Sequence, residues 1–271
     1  MKKVIPGLKR IDKIICIAIA VLAFAAVLSY FFIDNKVCLW VSSQNTKYDN
    51  FAGSDLIKAL GKVNIPLWLL FLFGYAKNNL RLVMSACLSV LMVLAVAGPL
   101  KIITKRERPR EVYSQQNITD SHEEKSSSHN QSFPSSDTAV VFAHAVVVTP
   151  LISLLSTPLI YVLAIGVGVL RILASAHYPS DVLAGAAIGI LCGWLAIQLS
   201  RIWALENKFS ITEWWKLIVY AGFMVIPVST FFSGGIDNLI VFFFASAALA
   251  GLVYILNKIQ AYLYRKLRTI Q

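Results

Sequence analysis

The chain has 271 residues, of which 57% are hydrophobic and only 14% are charged. A soluble domain of this length is nearer half apolar and a quarter charged, so the composition excludes an ordinary soluble protein. The apolar residues also form long blocks, and an α-helix needs roughly 20 such residues to cross a bilayer. Strand-like alternation is absent from the sequence. We therefore predict an all-α protein, a polytopic bundle of transmembrane helices.

The net charge of +11 would suggest a nucleic-acid partner if the protein were soluble. Here the basic residues lie at the chain ends and in short loops, where they set the orientation of a membrane protein. We expect membrane lipids as neighbours, no nucleic-acid partner and no obligate protein partner. The four cysteines form neither a C-x-x-C pair nor a metal-binding spacing, so we expect no metal and no cofactor.

Eight apolar segments follow one another along the chain. The first six form the expected core, and the last two look like an addition to it. The second segment is the shortest. Their predicted bounds are 14–33, 63–76, 82–103, 137–155, 158–176, 180–200, 214–232 and 237–256.

Charge predicts which face of the membrane each loop lies on. With eight crossings, the Lys- and Arg-rich ends and linkers fall on one face, which the positive-inside rule makes cytoplasmic. The loop after the third segment falls on the opposite face although it carries a basic run, so we expect those charges to have a function. The predicted organisation is a basic N-terminus over 1–13, a core over 14–203 with a polar loop over 104–134, a linker over 204–213, a helix pair over 214–256 and a basic tail over 257–271.

Polar residues that could take part in catalysis or binding lie at the segment ends on that non-cytoplasmic face. Random matches would scatter between the two faces, so this convergence points to one site. Lys101 ends the third segment and Arg108 follows it, Ser135, Ser136 and Asp137 open the fourth, Arg171 and His177 close the fifth, and Asp181 opens the sixth.

These residue types suit a phosphate. Lys101, Arg108 and Arg171 offer charge-assisted donors, and the arginines bind phosphate oxygens bidentately. Ser135 and Ser136 stand at a helix start, where backbone amides favour an anion. Neutral His177 is available as a nucleophile. Asp181, four residues later, is placed to accept a hydrogen bond from the other ring nitrogen and so to orient it.

Three fragments of the chain, 101–109, 133–137 and 171–181, resemble the tripartite signature of the type 2 phosphatidic acid phosphatase superfamily, which reads K-x6-RP, PSGH and SR-x5-H-x3-D. The first fragment matches in full. The third keeps its spacing but has Leu170 where Ser is usual, and in the second Ser136 replaces Gly and Asp137 replaces His. The resemblance covers roughly residues 60–200. It implies that His177 forms a phosphohistidine, that Asp181 orients it, and that Lys101, Arg108, Arg171 and Ser135 hold the phosphoryl group.

Asp137 leaves three interpretations open. In the family the His at this place protonates the leaving group. Asp137 is a working acid once substrate binds, or the leaving group needs little protonation, or the protein is catalytically impaired. The second interpretation favours lipid diphosphates, because a departing phosphate is far less basic than a departing alkoxide.

The sequence thus predicts a lipid phosphatase that acts on a lipid phosphate or diphosphate, such as a polyprenyl diphosphate, lipid A or phosphatidylglycerol phosphate. We expect it in the bacterial inner membrane, with both termini cytoplasmic and the active site on the other face. One alternative is a phosphotransferase that passes the phosphoryl group from His177 to another lipid. The other is a non-catalytic lipid-binding or transport protein built on the same bundle.

Overall fold

The computed structural model describes most of the predicted core. Its described residues are helical apart from short connections, in agreement with the predicted fold class. The predicted segments 63–76, 214–232 and 237–256 lie outside the described residues. The described ranges are 6–48, 80–114, 131–152 and 154–206, together with Ile259 and Tyr262.

The helices follow the apolar segments closely, with two additions. The helix α2 is largely polar and forms no apolar segment in the sequence, and α4 is a short helix inside the predicted polar loop. In chain order the helices are α1 Pro6–Phe32, α2 Asp34–Tyr48, α3 Leu80–Thr104, α4 Pro109–Ser114, α5 Ser136–Val148, α6 Thr157–Leu173 and α7 Pro179–Glu206.

Three of these helices are long and apolar enough to cross a membrane, over Asp12–Phe32, Ser85–Thr104 and Pro179–Arg201. The helices α5 and α6 are shorter but also apolar. Large apolar side chains face outward from the bundle, among them Phe24, which is 65% exposed, and Leu91, which is 64% exposed. Such a surface is costly in water and suits lipid. The protein is therefore an integral membrane protein with a helical bundle, as predicted.

The helix α7 is the centre of the bundle and packs against α1, α3 and α5. Its face towards α5 carries glycines four residues apart, at Gly185, Gly189 and Gly193. A Cβ on these glycines would collide with the backbone carbonyl oxygens of Ser135, Ala139 and Ala143, respectively. This row of glycines, the glycine ridge, therefore lets the backbones of α5 and α7 come into contact. This contact sets the start of α5 beside the start of α7.

The helix α5 is shorter than the sequence predicts. The apolar segment continues to residue 155, but the α-helix ends at Val148 and a 3₁₀ turn, Thr149–Leu151, follows. Pro150 has no amide hydrogen and disfavours an α-helical residue before it, so the regular helix cannot pass it. The helix α6 likewise ends at Leu173, before the predicted residue 176, and leaves His177 in the connection to α7.

Candidate active site

The three motif fragments meet at one end of the bundle, where α3 and α6 end and α5 and α7 begin. Backbone hydrogen bonds tie the fragments to one another, so the fold itself fixes their register. The amides of Ser132, Ser135 and Arg110 donate to the carbonyl oxygens of Arg106 at 2.7 Å, Asp181 at 3.1 Å and Ser175 at 3.0 Å, in that order.

His177 lies in the connection between α6 and α7, and only 2% of it is exposed. Its Nδ1 atom lies 2.7 Å from the carbonyl oxygen of Ser132. A carbonyl oxygen only accepts, so Nδ1 carries the proton and the neutral ring keeps its lone pair on Nε2. Burial lowers the pKa of His177 below its ordinary value, because desolvation disfavours the charged ring. The arrangement therefore presents a neutral imidazole of defined tautomer.

Asp181 lies beside His177 without bonding directly to it. Its Oδ2 atom is 3.9 Å from Nδ1 of His177, which is beyond hydrogen-bonding reach. That oxygen accepts the backbone N–H of Tyr178 at 2.8 Å and the hydroxyl of Ser132. Asp181 thus holds Ser132, the residue whose carbonyl orients the ring. The direct bond expected from the sequence is replaced by a contact through one intermediate residue.

Arg171 and Asp137 form an ion pair across the site. A guanidinium nitrogen of Arg171, at the end of α6, lies 3.0 Å from Oδ2 of Asp137 in the first turn of α5. The two side chains are 16% and 23% exposed, so both are accessible to a ligand. A phosphate that binds Arg171 would therefore lie next to the carboxylate of Asp137.

Lys101 and Arg108 add positive charge to the same end of the bundle. Nζ of Lys101 donates to the carbonyl oxygen of Gln131 at 3.0 Å. Arg108 is half-buried, and burial, with repulsion from Arg110 and Arg171, lowers the pKa of its guanidinium. A bound anion would relieve that repulsion. The electrostatics therefore favour a negatively charged ligand here.

The two serines of the second motif differ in their environments. Ser135 is fully buried, and its hydroxyl shares a 2.9 Å hydrogen bond with the hydroxyl of Thr138. Ser136 is half-buried and is the first residue of α5. The first amides of an α-helix have no partner within the helix and attract anions. The start of α5 is thus open to a phosphate through Ser136 and the backbone, while the hydroxyl of Ser135 faces inward.

Two further residues lie at the site without having been singled out from the sequence. Arg106 forms ion pairs with Asp181 and with Asp34, at 2.6 Å each. Arg106 belongs to the basic run that the predicted orientation places on the non-cytoplasmic face, and that was its signal in the sequence. Asp34 follows the first apolar segment, and no local pattern distinguishes it from an ordinary helix-start acid.

Two comparisons with known proteins found a similarity to this chain. Residues 82–204, which include all three fragments, match the model of the PAP2 superfamily. A solved structure similar to the chain is titled "Crystal structure of Aquifex aeolicus LpxE", with 25% identity over 57% of this chain and 92% of that chain and a TM-score of 0.43. No curated protein matches the chain. The family match therefore places all three fragments inside a region that is similar to this superfamily.

Proposed function

We propose that the protein is a membrane lipid phosphatase that works through a phosphohistidine at His177. The observation that carries this proposal is a buried, neutral imidazole whose Nδ1 proton is held by the Ser132 carbonyl, at an end of the bundle rich in cations. A protein that only binds lipid phosphates needs the cations but does not need an oriented nucleophile. This difference favours an enzyme over a binding protein.

The first step is phosphoryl transfer to the ring. Nε2 of His177 attacks the phosphorus atom and forms an N–P bond, while the P–O bond to the leaving group breaks and its electron pair stays on the leaving oxygen. The Nδ1 proton remains on the ring and bound to Ser132. The ring becomes positive, and the nearby carboxylate of Asp181 stabilises that charge. Lys101, Arg108 and Arg171 hold the phosphoryl oxygens.

The second step is hydrolysis. A water oxygen attacks the phosphorus atom, the N–P bond breaks, and its electron pair returns to Nε2. The attacking water gives up a proton, which one of the phosphoryl oxygens takes up. Inorganic phosphate leaves, and His177 is again neutral.

We further propose a lipid diphosphate as the preferred substrate. The carboxylate of Asp137 is paired with Arg171 at 3.0 Å, at the position where the superfamily that the sequence resembles has a histidine acting as a general acid. An alkoxide leaving from a monoester depends on such an acid, whereas a phosphate leaving from a diphosphate depends on it much less. The predicted orientation of the bundle would place this substrate in the leaflet away from the cytoplasm.

Phosphate release from a substrate panel tests this function. Purified protein in proteoliposomes is offered a polyprenyl diphosphate, phosphatidylglycerol phosphate and phosphatidic acid, and free phosphate is measured. We expect fastest release from the diphosphate and none with His177→Asn, while His129→Asn is the matched control for losing a histidine. Release that survives His177→Asn would rule out the phosphohistidine. Transfer of labelled phosphate to a second lipid instead of water would identify a phosphotransferase.

A further inference from the structure

We propose that Arg106, anchored by Asp34, is a positioning residue for His177 that acts through Asp181 and Ser132. This inference rests on the phosphatase function proposed above. It adds two residues, Arg106 and Asp34, that the three motif patterns do not specify. The relevant contacts run from the junction of α1 and α2 to the ring of His177.

The guanidinium group of Arg106 makes hydrogen bonds through both terminal nitrogens and stacks on an aromatic ring. One terminal nitrogen lies 2.6 Å from Oδ1 of Asp181 and 2.7 Å from the hydroxyl of Ser180, and the other lies 2.6 Å from Oδ2 of Asp34. The guanidinium carbon lies 3.8 Å from the centre of the Tyr178 ring. A planar cation with two edges fits this arrangement, and the point charge of a lysine does not.

Asp34 is itself fixed in place. It is 1% exposed, and its Oδ1 accepts the hydroxyl of Ser29 at 2.9 Å and the backbone N–H of Ser180 at 2.9 Å. The hydroxyl of Ser180 donates to its other oxygen. Asp34 also lies in the first turn of α2, where the helix dipole favours a carboxylate. Asp34 is thus a rigid anchor for Arg106.

Arg106 reaches His177 through its side chain and through its backbone. Its side chain pairs with Asp181, whose other oxygen accepts the hydroxyl of Ser132. Its carbonyl oxygen accepts the amide of Ser132 at 2.7 Å. The carbonyl of Ser132 in turn lies 2.7 Å from Nδ1 of His177. Arg106 therefore fixes Ser132, the residue that fixes the ring, from two directions.

The charge of Arg106 also sets how strongly Asp181 attracts a proton to His177. The charged groups that act on the ring are Asp181 from α7, Arg171 from α6 and Lys101 from α3. Of these, only Asp181 favours the protonated ring, and Arg106 neutralises part of its charge. If Arg106 is removed, the uncompensated carboxylate stabilises the imidazolium. His177 then becomes protonated at higher pH, and Ser132 loses its support.

The test compares Arg106→Gln with Lys105→Gln, a matched loss of positive charge at the exposed neighbouring position. For Arg106→Gln we expect a kcat lower by roughly 10- to 100-fold, the scale of a misplaced reacting group, with KM little changed. We also expect the acidic limb of the kcat/KM profile to move to higher pH. Arg106→Lys keeps the charge and should leave the limb near its original place while kcat still falls. Lys105→Gln should change neither quantity.

A double variant tests the link to Asp34. If Asp34 acts through Arg106, the single variant Asp34→Asn has a lower kcat than the parent. The double variant, Asp34→Asn with Arg106→Gln, is then no slower than Arg106→Gln. Multiplied effects would show that the two residues act independently and would overturn the proposed anchor. An Arg106→Gln protein that is less stable but has unchanged kcat and an unchanged acidic limb would reduce Arg106 to a structural residue.

A second measurement keeps this inference separate from the proposed function. Titration of the histidine ¹⁵N signals in the purified protein, with His177 assigned from the spectrum of His177→Gln, reports protonation without any turnover. Arg106→Gln should raise the pH at which His177 titrates. If the parent protein hydrolyses no lipid phosphate, the proposed function fails, yet this shift still decides whether Arg106 controls His177.

Discussion

Asp137 and Arg171 lie 3.0 Å apart, so the acidic residue in the first turn of α5 is the ion-pair partner of an arginine at the end of α6. A histidine at this position could donate its proton to a leaving group, and it would compete less with a bound phosphate for Arg171. The carboxylate instead holds Arg171 in place before substrate arrives. The reaction chemistry of this protein should therefore depend on the leaving group.

Asp137→Asn tests that dependence, because it keeps the shape of the side chain and removes its charge and proton. If the leaving group needs little protonation, turnover of a lipid diphosphate changes by less than about tenfold. If Asp137 is instead the general acid, both diphosphate and monophosphate turnover fall by roughly 10²–10⁴-fold. Steady-state rates on the two substrates separate these outcomes.

Asp137→His introduces the residue that the resembled superfamily signature has at this position, and it approaches the question from the other side. We expect it to raise turnover of a lipid monophosphate, whose alkoxide needs the proton. Equal rates for the parent, the Asn and the His variants on both substrates would mean that Asp137 is only a helix-start residue, and the inference towards diphosphates would be wrong.

His177→Ala should abolish turnover without loss of the folded protein. Loss of a nucleophile costs several factors of ten in rate, so less than about a hundredth of the parent rate should remain. Quenching in alkaline detergent after brief exposure to ³²P-labelled substrate should trap a phosphoenzyme in the parent that is stable to base and labile to acid, and no such species in the variant. A labelled variant, or one that keeps a tenth of the rate, would assign the nucleophile elsewhere.

The pH dependence of activity should reflect a His177 whose pKa is lowered by burial. Its pKa lies below the ordinary 6.5 because burial disfavours the charged ring. Activity needs the neutral ring, so it is present above that lowered pKa and is lost as the pH falls through it. We expect the acidic limb of kcat/KM below pH 6.5 and at the same place for two substrates with different phosphate pKa values. A limb that moves with the substrate would belong to the substrate.

Single cysteines test the orientation of the bundle. Lys105 is exposed at the active-site end, and Lys13 is exposed near the start of α1 at the other end. In a Cys16→Ala background, Lys105→Cys should react with a membrane-impermeant thiol reagent in intact cells, and Lys13→Cys should react only after the membrane is opened. The reverse pattern would place the active site on the cytoplasmic face.

The glycine ridge makes a stability prediction. A side chain at Gly189 would collide with the backbone of Ala139, whereas a Cβ at Gly166 meets no atom within 4 Å. Gly189→Val should therefore lower the unfolding temperature in detergent strongly, since overpacking costs about 1–3 kcal/mol and a backbone clash more. Gly166→Ala, the matched control on α6, should be neutral or slightly stabilising. Equal unfolding temperatures would contradict the close contact of α5 and α7.

The sequence alone determines the class of the fold and the location of the candidate site. Twenty-residue apolar blocks have one stable form in a bilayer, so the helices could be predicted from composition and length. The placing of Lys101, Asp137 and His177 at segment ends on one face predicted that they would meet, and the structure gathers their fragments at one end of the bundle. Helix ends were predicted less well, because Pro150 stops α5 inside an apolar run.

Only the tertiary structure decided which groups hold the ring of His177. The i, i+4 spacing of His177 and Asp181 suggests a direct bond, but the backbone carbonyl of Ser132, 45 residues away, takes that position at 2.7 Å. Asp34 and Arg106 are 72 residues apart and meet 2.6 Å from one another. Backbone carbonyls carry no sequence signal, and a lone acid at a helix start looks like a capping residue. These contacts form because α7 packs against several other helices and brings their ends together at one end of the bundle. That packing is a property of the whole bundle.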